Sequence, residues 1–183
     1  MTTIEATPHT IAPALRRLYF ARAAFAIVWA GLMFATKSHL GPISVALIVL
    51  YPLFDVAAAV VDTRSTGPSR GLYVNMAISL LAAIGLAIAC SSGVPAVLRV
   101  WGAWAVVAGL IQLIVGAGRR KLGGQWPMIL SGGISVLAGL SFIAGASADN
   151  PKLTNVAGYA VLGGIFFLIS AIRLGRQQPG AVS

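Results

Sequence analysis

Four polar side chains interrupt long apolar stretches of this sequence and are its candidates for chemistry: Arg22, Asp55, Asn75 and Gln112. Asp55 lies in the stretch LYPLFDVAAAVVD, in a chain that has only four acidic residues. A carboxylate beside a guanidinium and two amides could form a structural ion pair, take up a proton or bind a cation. The choice depends on the solvent around these residues, and therefore on the elements that carry them.

The composition predicts that lipid surrounds most of the chain. Of 183 residues, 58% are hydrophobic and 9% are charged, whereas soluble domains carry roughly a quarter of charged residues. A net charge of +9 could indicate nucleic acid, but the basic residues form no continuous surface that would follow a phosphate backbone. We therefore expect the lipid bilayer as the partner, with no nucleic acid and no identified small-molecule ligand.

Metal, cofactor and enzyme chemistry find no support in the sequence. Cys90 is the single cysteine, and His9 and His39 are far apart with no carboxylate at ligand spacing. The apolar segments contain no histidine, no paired carboxylates and no glycine-rich phosphate loop. The prediction is a non-enzymatic protein without catalytic, cofactor-binding or metal-binding residues.

Six apolar segments have the length of about 20 residues that a helix needs to cross the hydrocarbon of a bilayer. They are residues 18–36, 43–61, 72–90, 97–117, 126–146 and 155–172. The connectors are short and carry helix breakers such as HLGP and SSGVP. The predicted fold is all-α, a six-helix transmembrane bundle that forms one domain over residues 15–176. A polar N-terminal tail at 1–14 and a C-terminal tail at 177–183 flank it.

The basic residues flank the predicted spans unevenly, and this asymmetry predicts the orientation. With the N-terminus inside, the inner flanks hold Arg16, Arg17, Arg64, Arg70, Arg119, Arg120, Lys121, Arg173 and Arg176. The outer flanks hold only Lys37, Arg99 and Lys152. The predicted protein is multi-pass with both termini in the cytoplasm.

The spans also contain an internal repeat. WAVVAGLIQLIVGAGR, from Trp104, aligns without a gap with YAVLGGIFFLISAIRL, from Tyr159, and ISLLAAIGLAIA, from Ile78, resembles ISVLAGLSFIAG, from Ile134. A period near 55 residues is one helical hairpin, so the pattern predicts three tandem hairpins. Because each hairpin contains two spans, all three share one orientation and are parallel repeats.

Small residues within the spans predict how the helices associate. Lipid supplies no hydrophobic drive between helices, so close contact through Gly, Ala and Ser has to hold them together. Gly102, Gly109 and Gly116 recur every seven residues, and Gly132, Gly133 and Gly139 follow in the next span. These faces are predicted to pack helices within the chain, and a homo-oligomer through Gly/Ala/Ser faces is a further option.

The stretch WGAWAVVAGLIQLIVGAGRRKLGGQWPMILSGGISVLAGLSFIAGA, from Trp101 to Ala146, resembles the HdeD-like family of small bacterial membrane proteins. The resemblance lies in a Gly-punctuated helix, a short basic turn with an aromatic residue and a second SGGISVLAGL helix, in that order. It implies six helices in the bacterial cytoplasmic (inner) membrane and a link to acid or envelope stress. It implies no catalytic residues and no established mechanism.

The depth of the four polar residues predicts that they converge. Asp55 lies about seven residues, or roughly 10 Å, from the cytoplasmic end of its span, and Arg22, Asn75 and Gln112 lie at similar depth. The hypothesis is an Arg22–Asp55 ion pair supported by the two amides. In one interpretation the cluster fixes helix register. In the other it lines a polar cavity of a small transporter or channel, coupled to protons or cations.

Overall fold

The computed structural model describes residues 8–36, 39–118 and 126–176, and over these ranges the chain is helical, without any strand. The helices are α1 (Pro8–Ala35), α2 (Pro42–Thr66), α3 (Arg70–Ala89), α4 (Val94–Gly118), α5 (Trp126–Gly145) and α6 (Thr154–Arg176). One turn of 3-10 helix, Cys90–Ser92, follows α3. Parts of the predicted tails, 1–7 and 177–183, lie outside the described residues, as do Lys37, Arg119, Arg120 and Lys121.

Within the described ranges, five of the six helices are long and apolar enough to cross a membrane. In α5 the apolar stretch among these residues is shorter, Ile129–Gly145. The all-α prediction is confirmed, and five helices have the length and composition of predicted spans.

Several helix ends lie at or beside proline, glycine and serine residues rather than at the limits of the predicted apolar segments. α1 begins at Pro8, inside the predicted polar tail, and α2 continues to Thr66. Gly67 then adopts a φ of 91°, in the left-handed region that favours glycine. Ser69 caps the N-terminus of α3: its hydroxyl accepts a hydrogen bond from the backbone N–H of Leu72 at 3.2 Å.

The helices associate mainly as three antiparallel pairs: α4 with α5, α1 with α6, and α2 with α3. Contacts of α3 with α4, of α1 with α2 and of α5 with α6 are sparser. The first residues of α1, the last residues of α6 and the α2–α3 connection lie at one end of the bundle, called here the terminal end. The α1–α2, α3–α4 and α5–α6 connections lie at the opposite, far end.

Glycine pairs bring α4 and α5 into backbone contact. A Cβ added to Gly102 would lie 2.5 Å from the carbonyl oxygen of Gly139, and one added to Gly109 would lie 2.6 Å from that of Gly132. Such an approach is open only to residues without a side chain. These glycine faces therefore pack on each other within the chain.

The buried core occupies the half of the bundle near the far end. Its largest members come from several helices and from the turn before α6, and they are almost fully buried: Trp29, Met33, Ile48, Leu86, Trp101, Leu153 and Val156. Asp55 lies on the next turns of α2 toward the terminal end. The fold thus places an apolar layer on one side of the candidate site.

Candidate functional site: a polar cluster around Asp55

Asp55 accepts hydrogen bonds at both carboxylate oxygens. Arg22 donates from Nη2 to Oδ1 and forms an ion pair with it. Asn75 donates from Nδ2 to Oδ2 at 2.8 Å, and Ser79 donates from its hydroxyl to the same oxygen at 2.8 Å. Three donors from two neighbouring helices therefore hold one carboxylate of α2, and its charge is balanced by the guanidinium.

The helix geometry places these donors. Asn75 and Ser79 are four residues apart, so they lie one above the other on the same face of α3. That face packs against α2, which is the main partner of α3. Ser79 has no exposed surface. Its hydroxyl therefore requires an internal partner, and Asp55 supplies it.

Arg22 also contacts the last helix of the chain. Its guanidinium carbon lies 4.3 Å from the centre of the Phe167 ring in α6, which is a cation–π distance. Tyr19, one turn earlier in α1, lies with its ring 5.9 Å from the same phenyl group. The cluster thereby joins four helices: α1, α2, α3 and α6.

The cluster is mostly enclosed. The side chains of Arg22 and Asp55 are 19% and 14% exposed. Neutralised pairs with every carboxylate oxygen occupied are the form in which charged groups are tolerated at depth in a membrane. Chemically, this arrangement is a satisfied ion pair rather than a free base.

Gln112 does not belong to the cluster, so its assignment to the cluster is corrected. Among the described residues, Asp55 receives its hydrogen bonds from Arg22, Asn75 and Ser79. Gln112 is exposed and its Cβ lies beside Gly132 of α5, 3.1 Å from where a Cβ of that glycine would be. The sequence predicts the height of Gln112 along the bundle but not the direction in which it faces. The rotation of α4 about its axis turns Gln112 toward α5.

Ser79 was not among the predicted residues, although the sequence contains a signal for it. It stands four residues after Asn75, at the spacing that places two side chains on one helix face. Phe167 had no comparable signal, because its contact with Arg22 joins the two ends of the chain.

An aromatic layer separates the cluster from the far end. Phe25 stacks on Phe54 at 3.7 Å between ring centres, and Trp29 packs edge-on to Tyr51 at 4.7 Å. Tyr51 in turn lies 5.5 Å from Trp101. These rings come from α1, α2 and α4 and close the centre of the bundle beside Asp55.

Trp104 lies beside this layer, with its ring 5.6 Å from that of Trp101, and the three tryptophans differ in their hydrogen bonding. Trp29 donates from Nε1 to the carbonyl oxygen of Leu47 at 2.7 Å. The indole N–H groups of Trp101 and Trp104 are buried and have no hydrogen-bond partner in the described part of the chain. An unpaired buried donor costs free energy, so only Trp29 gains polar stabilisation here.

A second polar pair lies outside the Asp55 cluster. The hydroxyl groups of Ser135 in α5 and Tyr159 in α6 are 2.8 Å apart. Ser135 is buried. This neutral pair connects two helices that otherwise have few mutual contacts.

The described residues also contain a surface cavity but no cluster of metal-ligating side chains. No group of three His, Cys, Asp or Glu residues among them could hold a metal ion. A half-open surface cavity of about 280 Å³ lies at the far end beside Phe142 and Lys152, and Asp55 does not line it.

No family model, no curated protein and no solved structure matches this chain.

Proposed function

We propose that the chain is a non-enzymatic integral membrane protein of six crossings, in which the Asp55 cluster holds α1, α2, α3 and α6 in register. One observation carries this proposal: all the hydrogen bonds of the Asp55 carboxylate to described residues come from side chains of other helices. A carboxylate with three donors, one of them a cation, is stabilised only when the helices keep this alignment.

Ion flux into liposomes tests the structural role. The purified chain and its Asp55→Asn variant are reconstituted with an internal pH-sensitive dye, and a pH or potassium gradient is applied. If the cluster is structural, proton flux through both proteins equals that of empty liposomes, while the variant unfolds at lower temperature. Flux through the native chain that Asp55→Asn abolishes would contradict the proposal.

A small transporter or channel, coupled to protons or cations, is the second candidate. Its support is the partial exposure of the Arg22 and Asp55 side chains, 19% and 14%. A cation that bound Asp55 would have to displace Arg22, Asn75 or Ser79, since each already donates to the carboxylate. The flux measurement therefore decides between the two candidates.

The proposed architecture is three tandem hairpins arranged as a closed ring, and the helix pairing supports it. The closest pairs, α2–α3, α4–α5 and α6–α1, each join an even helix to the next odd helix around the ring. Three equivalent units would produce this pattern, because each interface then repeats.

Burial at matching positions also supports the repeat. With α4 and α6 aligned at the 55-residue offset and α2 placed 53 residues before α4, Ile48, Trp101 and Val156 correspond, and each is 1% exposed. Tyr51, Trp104 and Tyr159 correspond in the same alignment. An experimental structure in lipid nanodiscs should superpose the three hairpins by rotations of about 120° around one axis; hairpins that superpose by translation alone would contradict this arrangement.

The proposed setting is the bacterial inner membrane with both termini in the cytoplasm, in a protein of the HdeD-like type linked to acid or envelope stress. The exposed arginines near the terminal end support the orientation: Arg16, Arg17, Arg64, Arg70, Arg173 and Arg176. Fusions of alkaline phosphatase to the α1–α2 connection should be active, and fusions to the C-terminus inactive. Survival of a deletion strain after acid challenge tests the stress role.

A further inference from the structure

The α1–α6 pair carries four arginines near the terminal end of the bundle. Arg16 and Arg17 belong to the first part of α1, and Arg173 and Arg176 to the last turns of α6; all four are exposed. The two helices are antiparallel, and Arg16 lies directly against Gly175: a Cβ there would be 2.8 Å from the guanidinium carbon. At 1.5 Å per residue, the Cα atoms of the four arginines fall within about 5 Å of one another along the helix axes.

These charges have no carboxylate partner in the described part of the chain. The ion pair found among the described residues is Arg22–Asp55. Asp62, the other carboxylate of α2, accepts a hydrogen bond from Thr66 at 3.1 Å instead. Exposed guanidinium groups without a carboxylate among the described residues, at one level of two packed helices, favour an anion, because an anion that contacts more than one of them is stabilised.

The surface next to the arginines is apolar and faces outward. Phe20, one turn after Arg16, is 38% exposed, and its ring lies 5.5 Å from the Arg16 guanidinium carbon. Ile169 and Ile172, which precede Arg173 in α6, are 46% and 40% exposed. One continuous surface therefore offers a cationic end and an apolar flank.

We infer that this surface, Arg16, Arg17, Arg173 and Arg176 with Phe20 and Ile169, binds one anionic phospholipid. The phosphodiester bridges the arginines of α1 and α6, and an acyl chain lies along the apolar flank. Arginine suits this contact because its planar guanidinium donates two parallel hydrogen bonds to phosphate oxygens. Gly175 contributes by leaving room for the Arg16 guanidinium to lie across α6.

Native mass spectrometry of the full chain in detergent tests the site, with phosphatidylglycerol and phosphatidylcholine as probes. An arginine beside an anionic lipid contributes about fivefold in affinity, so Arg16→Gln with Arg173→Gln should weaken phosphatidylglycerol binding about 25-fold. The matched control, Arg64→Gln with Arg70→Gln, removes the same charge at the terminal end of α2 and α3 and should weaken binding less than about threefold.

Two further experiments test the shape of the site and the class of ligand that it binds. Gly175→Leu keeps all four charges but fills the place of the Arg16 guanidinium, so it should weaken phosphatidylglycerol binding without changing the fold. Inorganic phosphate at the same concentration should leave bound phosphatidylglycerol in place. The inference is overturned if the control pair loses as much affinity as the α1–α6 pair, if phosphatidylcholine binds equally well, or if free phosphate displaces the lipid. These outcomes are independent of the Asp55 cluster.

Discussion

Asn75 and Asp55 face each other across the α2–α3 interface, with 2.8 Å between the amide nitrogen of one and a carboxylate oxygen of the other. The same oxygen accepts the Ser79 hydroxyl, while Arg22 holds the second oxygen. The interface therefore depends on a carboxylate that accepts hydrogen bonds from α1 and from α3. Substitutions of its different partners should lower the stability of the protein by different amounts.

Removing the cation should destabilise the bundle more than removing both charges. Arg22→Met leaves the Asp55 carboxylate enclosed without its counter-charge and should cost about 3 kcal/mol in the free energy of unfolding. Arg22→Met combined with Asp55→Leu should cost less than that. Reversible unfolding in mixed micelles measures both. Asp62→Asn, near the end of α2, is the control and should change the free energy of unfolding by less than about 0.5 kcal/mol. A double variant that is less stable than Arg22→Met would argue against the ion pair.

Ser79 should contribute more to the stability of the protein than Ser135, although both are buried serines whose hydroxyl group has one hydrogen-bond partner. Ser79 donates to a carboxylate and Ser135 pairs with the neutral Tyr159 hydroxyl. Hydrogen bonds to charged groups contribute about 1.5–3 kcal/mol and neutral ones about 1 kcal/mol. Ser79→Ala should therefore lower the unfolding temperature more than Ser135→Ala. Equal shifts would contradict the stronger, charge-assisted hydrogen bond of Ser79.

Gly109 should tolerate no side chain, whereas Gly133 should accept one. A Cβ on Gly109 would meet the Gly132 carbonyl oxygen at 2.6 Å, and one on Gly133 would meet nothing within 4 Å. Gly109→Ala should push α4 and α5 apart at a cost of about 1–3 kcal/mol. Gly133→Ala should be neutral or slightly stabilising, because alanine favours the helix. Thermal unfolding in detergent compares the two, and a similar loss for both would mean that helix packing is not the cause.

Trp29→Phe should cost more than Trp101→Phe. Both side chains are 1% exposed, so the loss of buried ring is similar. Trp29 also loses its 2.7 Å hydrogen bond to Leu47, while the Trp101 N–H has no partner among the described residues. The expected difference is about 1 kcal/mol, measured by denaturant unfolding in micelles. A larger loss of stability for Trp101→Phe than for Trp29→Phe would contradict this expectation. It would indicate that the Trp101 N–H also donates a hydrogen bond.

Much of the architecture could be predicted from the sequence, because apolar segments of spanning length alternate with Gly, Pro and Ser breakers. Depth along an antiparallel hairpin also sufficed to suggest Arg22 beside Asp55. Depth could not orient Gln112, since that requires the rotation of α4, which glycine packing against α5 determines. Phe167 depends on the closure of α6 onto α1, a contact between residues that no local pattern connects.

The seam between α1 and α6 has a consequence for biogenesis. α1 is made well before α6, so during synthesis α1 waits for its main partner while the four helices between them are made. Arg22 and Asp55 arrive together in the first two helices and can cancel their charges early. Phe167 can cover Arg22 only after α6 has been made, so this contact between α1 and α6 forms later in synthesis than the Arg22–Asp55 ion pair can.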